Sequence, residues 1–369
     1  MDFENFKEII VYYFEKRGWS FRKYDDKNCY LEKNYSPIEQ NKIKRDFLIN
    51  DEKFYSILST EISNFGIPYY VCNSLDNKNN DTNFIVAGFQ TINDFLSKST
   101  KNYKCKWCSF QPVIRLKDKD ICGLKEGYFT SFINVCEISI DTTFLEYIED
   151  LDNWISVLSK CSLHTSGLQI KLKNRTNINN GVGVKFIYKG IELGDANLYL
   201  YEFEGVKMMV SDIGFGYERI LWAINNGKNF YAPFVFKYDY LIGDLREIDR
   251  IKTVTLMVMS SIVPRSNGKG KYVRSLISEL NIYTNYEKMD KYVEKYYNFY
   301  SRFIVPSLCL NEVKKIIEKE INYNIKKNIL NKHCIKNYST LLDDDVEKLC
   351  ENVFIKKLEL SKNKEGKIK

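Results

Sequence analysis

The residues Ser211-Asp-Ile-Gly-Phe-Gly-Tyr-Glu-Arg-Ile220 decide how this chain is read. They set an acid, two glycines and an arginine directly after an alternating run, Asn197 to Val210, that reads as strand, turn and strand. A strand feeding a glycine turn, with a helix opening at Tyr217 or Glu218, leaves backbone N–H groups unpaired beside a guanidinium that can meet phosphate through two parallel hydrogen bonds. The expectation is a phosphate site on Gly214, Gly216 and Arg219. A lone Gly-x-Gly also suits a plain corner between strand and helix. The rest of the chain has to agree.

At 369 residues the length fits two domains, or three. A hydrophobic share of 44% beside 28% charged residues describes a globular chain able to bury a core. No apolar run reaches the roughly eighteen residues that span a bilayer, and the N-terminus reads as an acid-bearing amphipathic segment rather than a signal peptide. The expectation is a cytoplasmic protein with no membrane partner. Ten cysteines at irregular spacings read as reduced thiols rather than a disulfide framework. Cys105-x-x-Cys108 lacks a second pair or a nearby histidine to complete a zinc site, so no metal site is expected. A net charge of +7 suits a polyanionic partner.

Along the chain, residues 1–21 read as an amphipathic helix, with Ile9, Ile10, Tyr13 and Phe14 at helical spacing and Gly18 as the stop. Residues 23–80 are polar and irregular around one helical stretch, Phe54 to Phe65. From Asn83 to Asn226 short alternating strands surround one clear helix, Phe144 to Lys160, an α+β pattern. Residues 240–369 carry apolar positions at spacings of three and four and read as largely helical. The division expected is 1–235, 236–360 and a disordered basic tail at 361–369.

The Ser211–Ile220 pattern resembles motif 3 of class II aminoacyl-tRNA synthetases, and within that class it looks like the alanyl-tRNA synthetase signature DTGMGLER. Collinear segments agree with it. "NFIVAGFQTINDFL" (Asn83 to Leu96) resembles the motif 1 segment of that family, "SFQPVIR" ending at Arg115 the opening of motif 2, and "GYFTSF" (Gly127 to Phe132) the return of its loop. "LYLYEF" after Asn197 is similar to the strand that follows the family's asparagine. "IDRIKTVTLMVMSSIVPRSNGKGKYVRSLISEL" (Ile248 to Leu280) is similar to a segment particular to alanyl-tRNA synthetases. The resemblance implies the class II catalytic fold, an antiparallel sheet flanked by helices, followed by an all-helical tRNA-recognition domain. Residues 23–80 have no counterpart of that length in the family and read as an insertion.

What the resemblance implies chemically is attack of an amino-acid carboxylate on the α-phosphate of ATP, with Mg²⁺ as cofactor, and transfer of the acyl group to tRNA. Arg115 matches the motif 2 arginine that grips the α-phosphate and the carboxylate, and Arg219 the motif 3 arginine that lies along the phosphates. Phe132 falls where an aromatic stacks on adenine, and Gly214 and Gly216 complete the ATP site. Asp212 matches the carboxylate that meets the substrate ammonium, and Asn197 the amide that orients the amino acid. Asn267 matches the residue that reads an acceptor base pair, while Lys269 and Arg274 stand among the basic residues that follow it and suit phosphate contacts. The implied partners are alanine and a tRNA with an alanine-type acceptor stem. An editing site is not expected, since His164 and His333 are the only histidines. Two motif 2 histidines of the family are missing, and Ile133 occupies its glutamate position, with Glu137 and Asp141 the carboxylates left to replace it. These departures keep two alternatives open: an activator that acylates a carrier protein or a small amine, and a non-catalytic paralogue that binds RNA or an amino acid.

Overall fold

The computed structural model describes residues 2–25, 28–33, 49–71, 75, 82–97, 103–163, 167–175, 181–225, 245–280 and 286–334. Its contacts divide the chain into Met1–Ile242 and Gly243–Lys369. The boundary expected at 235/236 and the basic tail at 361–369 lie outside the described residues.

Helix α1 (Phe3–Glu15) is capped by Asp2, whose carboxylate accepts the Asn5 N–H at 2.8 Å. It buries Phe6, Ile10 and Phe14 at a spacing of four, each contributing about 1.5–3 kcal/mol if fully withdrawn from water. The helix expected to run to residue 21 stops at Glu15. A short turn ending at Gly18 hands the chain to β1 (Trp19–Asp25), whose alternating aromatic residues favour a strand. That strand pairs with β2 (Asn28–Lys33). Helix α2 (Asp51–Asn64) and the two-residue strand β3 (Tyr69–Tyr70) follow. Residues 23–80 therefore supply the end of one edge strand, β1, its neighbour β2 and the opposite edge strand β3.

A short 3₁₀ turn, Gly88–Thr91, leads into α3 (Ile92–Leu96). The central strands are β4 (Cys105–Ile114) and β5 (Ser131–Ile140), and α4 (Phe144–Lys160) follows with a capping box between Thr143 and Glu146. Then come β6 (Leu168–Arg175), β7 (Gly181–Tyr188), β8 (Ile191–Phe203) and β9 (Val206–Gly216). The nine strands run in the order β1-β2-β6-β7-β8-β9-β5-β4-β3.

All neighbours are antiparallel except β3 and β4, which are parallel. The sheet is thus mixed rather than antiparallel as expected. The chain between β3 and β4 includes α3, and a crossover of that length is what a parallel pair requires.

Side chains alternate across this sheet. On one face, called the front, Ile138, Ile140, Met208, Val210 and Trp107 pack with Ile92 and Leu96. On the back, Phe215 meets Trp154 of α4 at 5.0 Å between ring centroids. Every second residue of β9 after Val210, namely Asp212, Gly214 and Gly216, therefore belongs to the front.

The second unit, taken by itself, has α6 (Leu245–Met259), α7 (Gly270–Ser278), α8 (Tyr286–Tyr300) and α9 (Leu310–Cys334). Helix α6 is buried from Ile248 to Met259. Its Arg250 meets Asp249 at 3.3 Å and Glu279 at 3.1 Å, as a buried cation must be paired. Among the described residues no helix is long and apolar enough to cross a membrane.

Candidate active site

Strand β9 ends at Gly216, which is also the N-cap of α5 (Tyr217–Ile224). A Cβ on Gly216 would lie 3.2 Å from Cδ of Arg219, so the bare backbone makes room for that side chain. Because β9 stops opposite Asn134, the Ile133 N–H falls beyond the ladder, and the Glu218 carboxylate accepts it at 3.0 Å. This is a structural use of a buried acid. Asp212 sits four residues upstream, inside the strand, and does not cap the helix.

Two guanidinium groups meet beside the loop that joins β4 to β5. Arg115 leaves the end of β4, its own N–H donating to the Thr130 carbonyl at 2.7 Å. Its Nε donates to the Val86 carbonyl at 2.9 Å, and its guanidinium lies 4.8 Å from the Phe132 ring. Arg219 donates from Nε to the Gly127 carbonyl at 2.8 Å and from Nη1 to the Glu192 carbonyl at 2.7 Å.

Both line a hollow of about 290 Å³, part of it open solvent, together with Phe132 and Gly216. Burial lowers the pKa of each arginine, and at Arg115 the like charge of Arg219 lowers it further, partly offset by Asp118, Asp195 and Glu192. Two cations pressed together in a half-buried hollow favour an anion between them.

Of the expected nucleotide residues, Arg115, Phe132, Gly216 and Arg219 meet at this hollow, whereas Gly214 stands one pleat away on the front, beside the Asn134 amide. Asn197 of β8 and Asp212 of β9 are cross-strand partners on the same face, Asn197 buried and Asp212 half-buried. Asn267, Lys269 and Arg274 belong to the second unit. Asn267 is exposed, and Lys269 is partly exposed. Arg274 is engaged within its unit, its Nε 2.9 Å from Glu320 and its guanidinium 5.1 Å from the Tyr323 ring.

Neither Glu137 nor Asp141, the carboxylates left to replace the acid at the Ile133 position, faces the hollow. Strand alternation sends Glu137 to the back, where Trp154 Nε1 donates to it at 3.1 Å and Lys106 lies at 3.6 Å. Asp141 is exposed past the end of β5, at φ 54°. Neither reaches the front. The wall also uses Asp118, Tyr128, Phe129 and Glu218, which were not singled out from the sequence. Tyr128 and Phe129 lie inside the quoted "GYFTSF" and were within reach of that reading. Glu218 likewise lies inside the Ser211–Ile220 stretch, whereas Asp118 gives no local signal, because only the folded loop aims it inward.

No family model and no curated protein matches this sequence. Among solved structures, that of PylSc from Desulfitobacterium hafniense, a pyrrolysyl tRNA synthetase, is similar over 49% of this chain and 71% of that chain, with 13% identity and a TM-score of 0.38.

Proposed function

We propose that the protein is a ligase of the class II aminoacyl-tRNA synthetase kind, which activates an amino acid with ATP and transfers it to tRNA, alanine being the substrate the motifs favour. The observation that carries this reading is the convergence of Arg115 and Arg219, from segments about a hundred residues apart, on one hollow with Phe132 and Gly216. In-line attack on an α-phosphate brings two anions together, and two planar cations fixed by backbone carbonyls can hold both without reorganising. Phe132 offers an aromatic face beside the phosphate site, as an adenine ring requires. Asp212 and Asn197 continue the front face with a carboxylate for the ammonium and an amide for orientation.

Among the described residues no three His, Cys, Asp or Glu side chains gather to hold a resident metal. Mg²⁺ carried on ATP phosphates needs only one or two protein carboxylates, and Asp118 and Glu218 line the hollow.

One observation favours a second reading, a binding protein without catalysis: Ile133 is buried at the motif 2 glutamate position, and Glu137 turns to the back of the sheet. ATP–pyrophosphate exchange with each amino acid in turn separates the two. Exchange that depends on one amino acid is the result expected, and its absence with all of them overturns the ligase reading. Charging of total tRNA beside purified carrier proteins from the same cell then names the acceptor.

A further inference from the structure

Lys173 belongs to no motif, yet it reaches the middle of the front face. The strand register runs Lys173 to Gly183, Gly183 to Asn197 and Asn197 to Asp212, so these four residues form one row across β6, β7, β8 and β9. Directly opposed residues share a face. Gly183 leaves the row bare at its second position: a Cβ there would stand 2.5 Å from the Ala196 carbonyl oxygen and 3.0 Å from Oδ1 of Asn197.

Over this gap the Lys173 side chain crosses to β8. Its Nζ meets Asp195 Oδ2 at 2.6 Å and Asn197 Oδ1 at 3.2 Å. The Lys173 side chain is only 12% exposed, so its charge needs the Asp195 partner it has. An ammonium donates and never accepts. The Asn197 amide must therefore show it oxygen, which turns the NH₂ group away from Lys173.

We propose that Lys173 is a positioning residue for the amino-acid subsite: bridging Asp195 and Asn197 across the bare Gly183, it locks the Asn197 amide as a hydrogen-bond donor to an acceptor oxygen of the substrate, and leaves the substrate ammonium to Asp212. This rests on the synthetase reading for the identity of the substrate, an α-amino acid, but the orientation of the amide does not. With its oxygen turned to Lys173, Asn197 presents its NH₂ group, a donor, as its free end. The subsite then has one acceptor and one donor for the two ends of a zwitterion.

The test has two arms, both on the full chain. In the first, Lys173→Met raises the amino-acid KM about tenfold, the equivalent of one hydrogen bond, with the ATP KM held. Lys173→Arg restores the constant, and Lys173→Met adds nothing when placed on Asn197→Ala. In the second, the protein is labelled with ¹⁵N-asparagine and the Asn197 side-chain NH₂ signal is identified by its loss in Asn197→Ala. That signal moves and exchanges faster in Lys173→Met and stays in place in Lys173→Arg. Lys173→Gln, shorter and uncharged, is the second variant should Lys173→Met fail to fold, with the same expectation. An NH₂ signal indifferent to loss of the lysine overturns the proposal, as do KM effects of the two variants that simply add. A wild type that exchanges no pyrophosphate while its NH₂ signal responds to Lys173 sinks the synthetase reading and leaves the positioning role standing.

Discussion

Arg219 donates to two backbone carbonyls. Gly127 and Glu192 each supply one carbonyl acceptor, which orients the fork but cancels little of its charge. Removal of such a cation costs transition-state stabilisation more than folding energy. Arg219→Ala is expected to lower pyrophosphate exchange by about 10²–10³, the usual loss when one preorganised contact to developing charge is deleted, while the circular dichroism spectrum stays native. A variant that exchanges at more than a tenth of the wild-type rate would remove Arg219 from the phosphate site. Asp212 lies on the same strand as Gly216, four residues from the hollow, and the role proposed for it is to meet the ammonium. Asp212→Asn should raise the amino-acid KM on the order of a hundredfold with little change in that for ATP. Equal movement of both constants would mean that Asp212 supports the sheet instead.

The contact between β5 and α4 carries an effect that no single residue shows. Behind the sheet Glu137 packs against Asp150, Lys106 and Trp154, with Lys106 2.5 Å from Asp150. Burial, joined by the neighbouring Asp150 carboxylate, raises Glu137 from 4.5 to about 8 against the pull of Lys106. A carboxyl raised in this way keeps its proton when folded and loses it when unfolded. The unfolded state then binds fewer protons, so stability falls as pH rises between about 4.5 and about 8, by at most about 1.4 kcal/mol per pH unit for one proton. Glu137→Gln keeps an acceptor for Trp154 and should flatten the urea midpoint across that window. Parallel pH curves for wild type and variant would show that the proton resides elsewhere.

For the whole molecule the proposed partner is RNA, and each phosphate contact made by a cation would show in the salt dependence of binding. Lys269→Ala should weaken all RNAs alike and reduce the slope of log affinity against log salt by about 1. Asn267→Ala should cost about 1–3 kcal/mol against the cognate acceptor stem and little against others. Arg274 differs from both, because its ion pair with Glu320 ties α7 to α9. Arg274→Ala should therefore also lower the melting temperature. Fluorescence anisotropy over a salt series checks these outcomes, and an affinity that ignores Lys269→Ala would remove the loop from the RNA surface.

Much of this was written locally in the chain. The β8–β9 hairpin, the opening of a helix at Tyr217 and the span of α4 follow from alternation, turn residues and caps, which neighbours in sequence encode. The position of Arg115 at the end of a strand was legible for the same reason. The parallel pairing of β3, the turn of Glu137 to the back and the reach of Lys173 over Gly183 were not. Each depends on register between strands distant in sequence, and a shift of one residue would send every side chain to the other face. Local order was set by the sequence alone. Which polar groups share a face, and hence which chemistry they can perform together, was decided by the sheet once assembled.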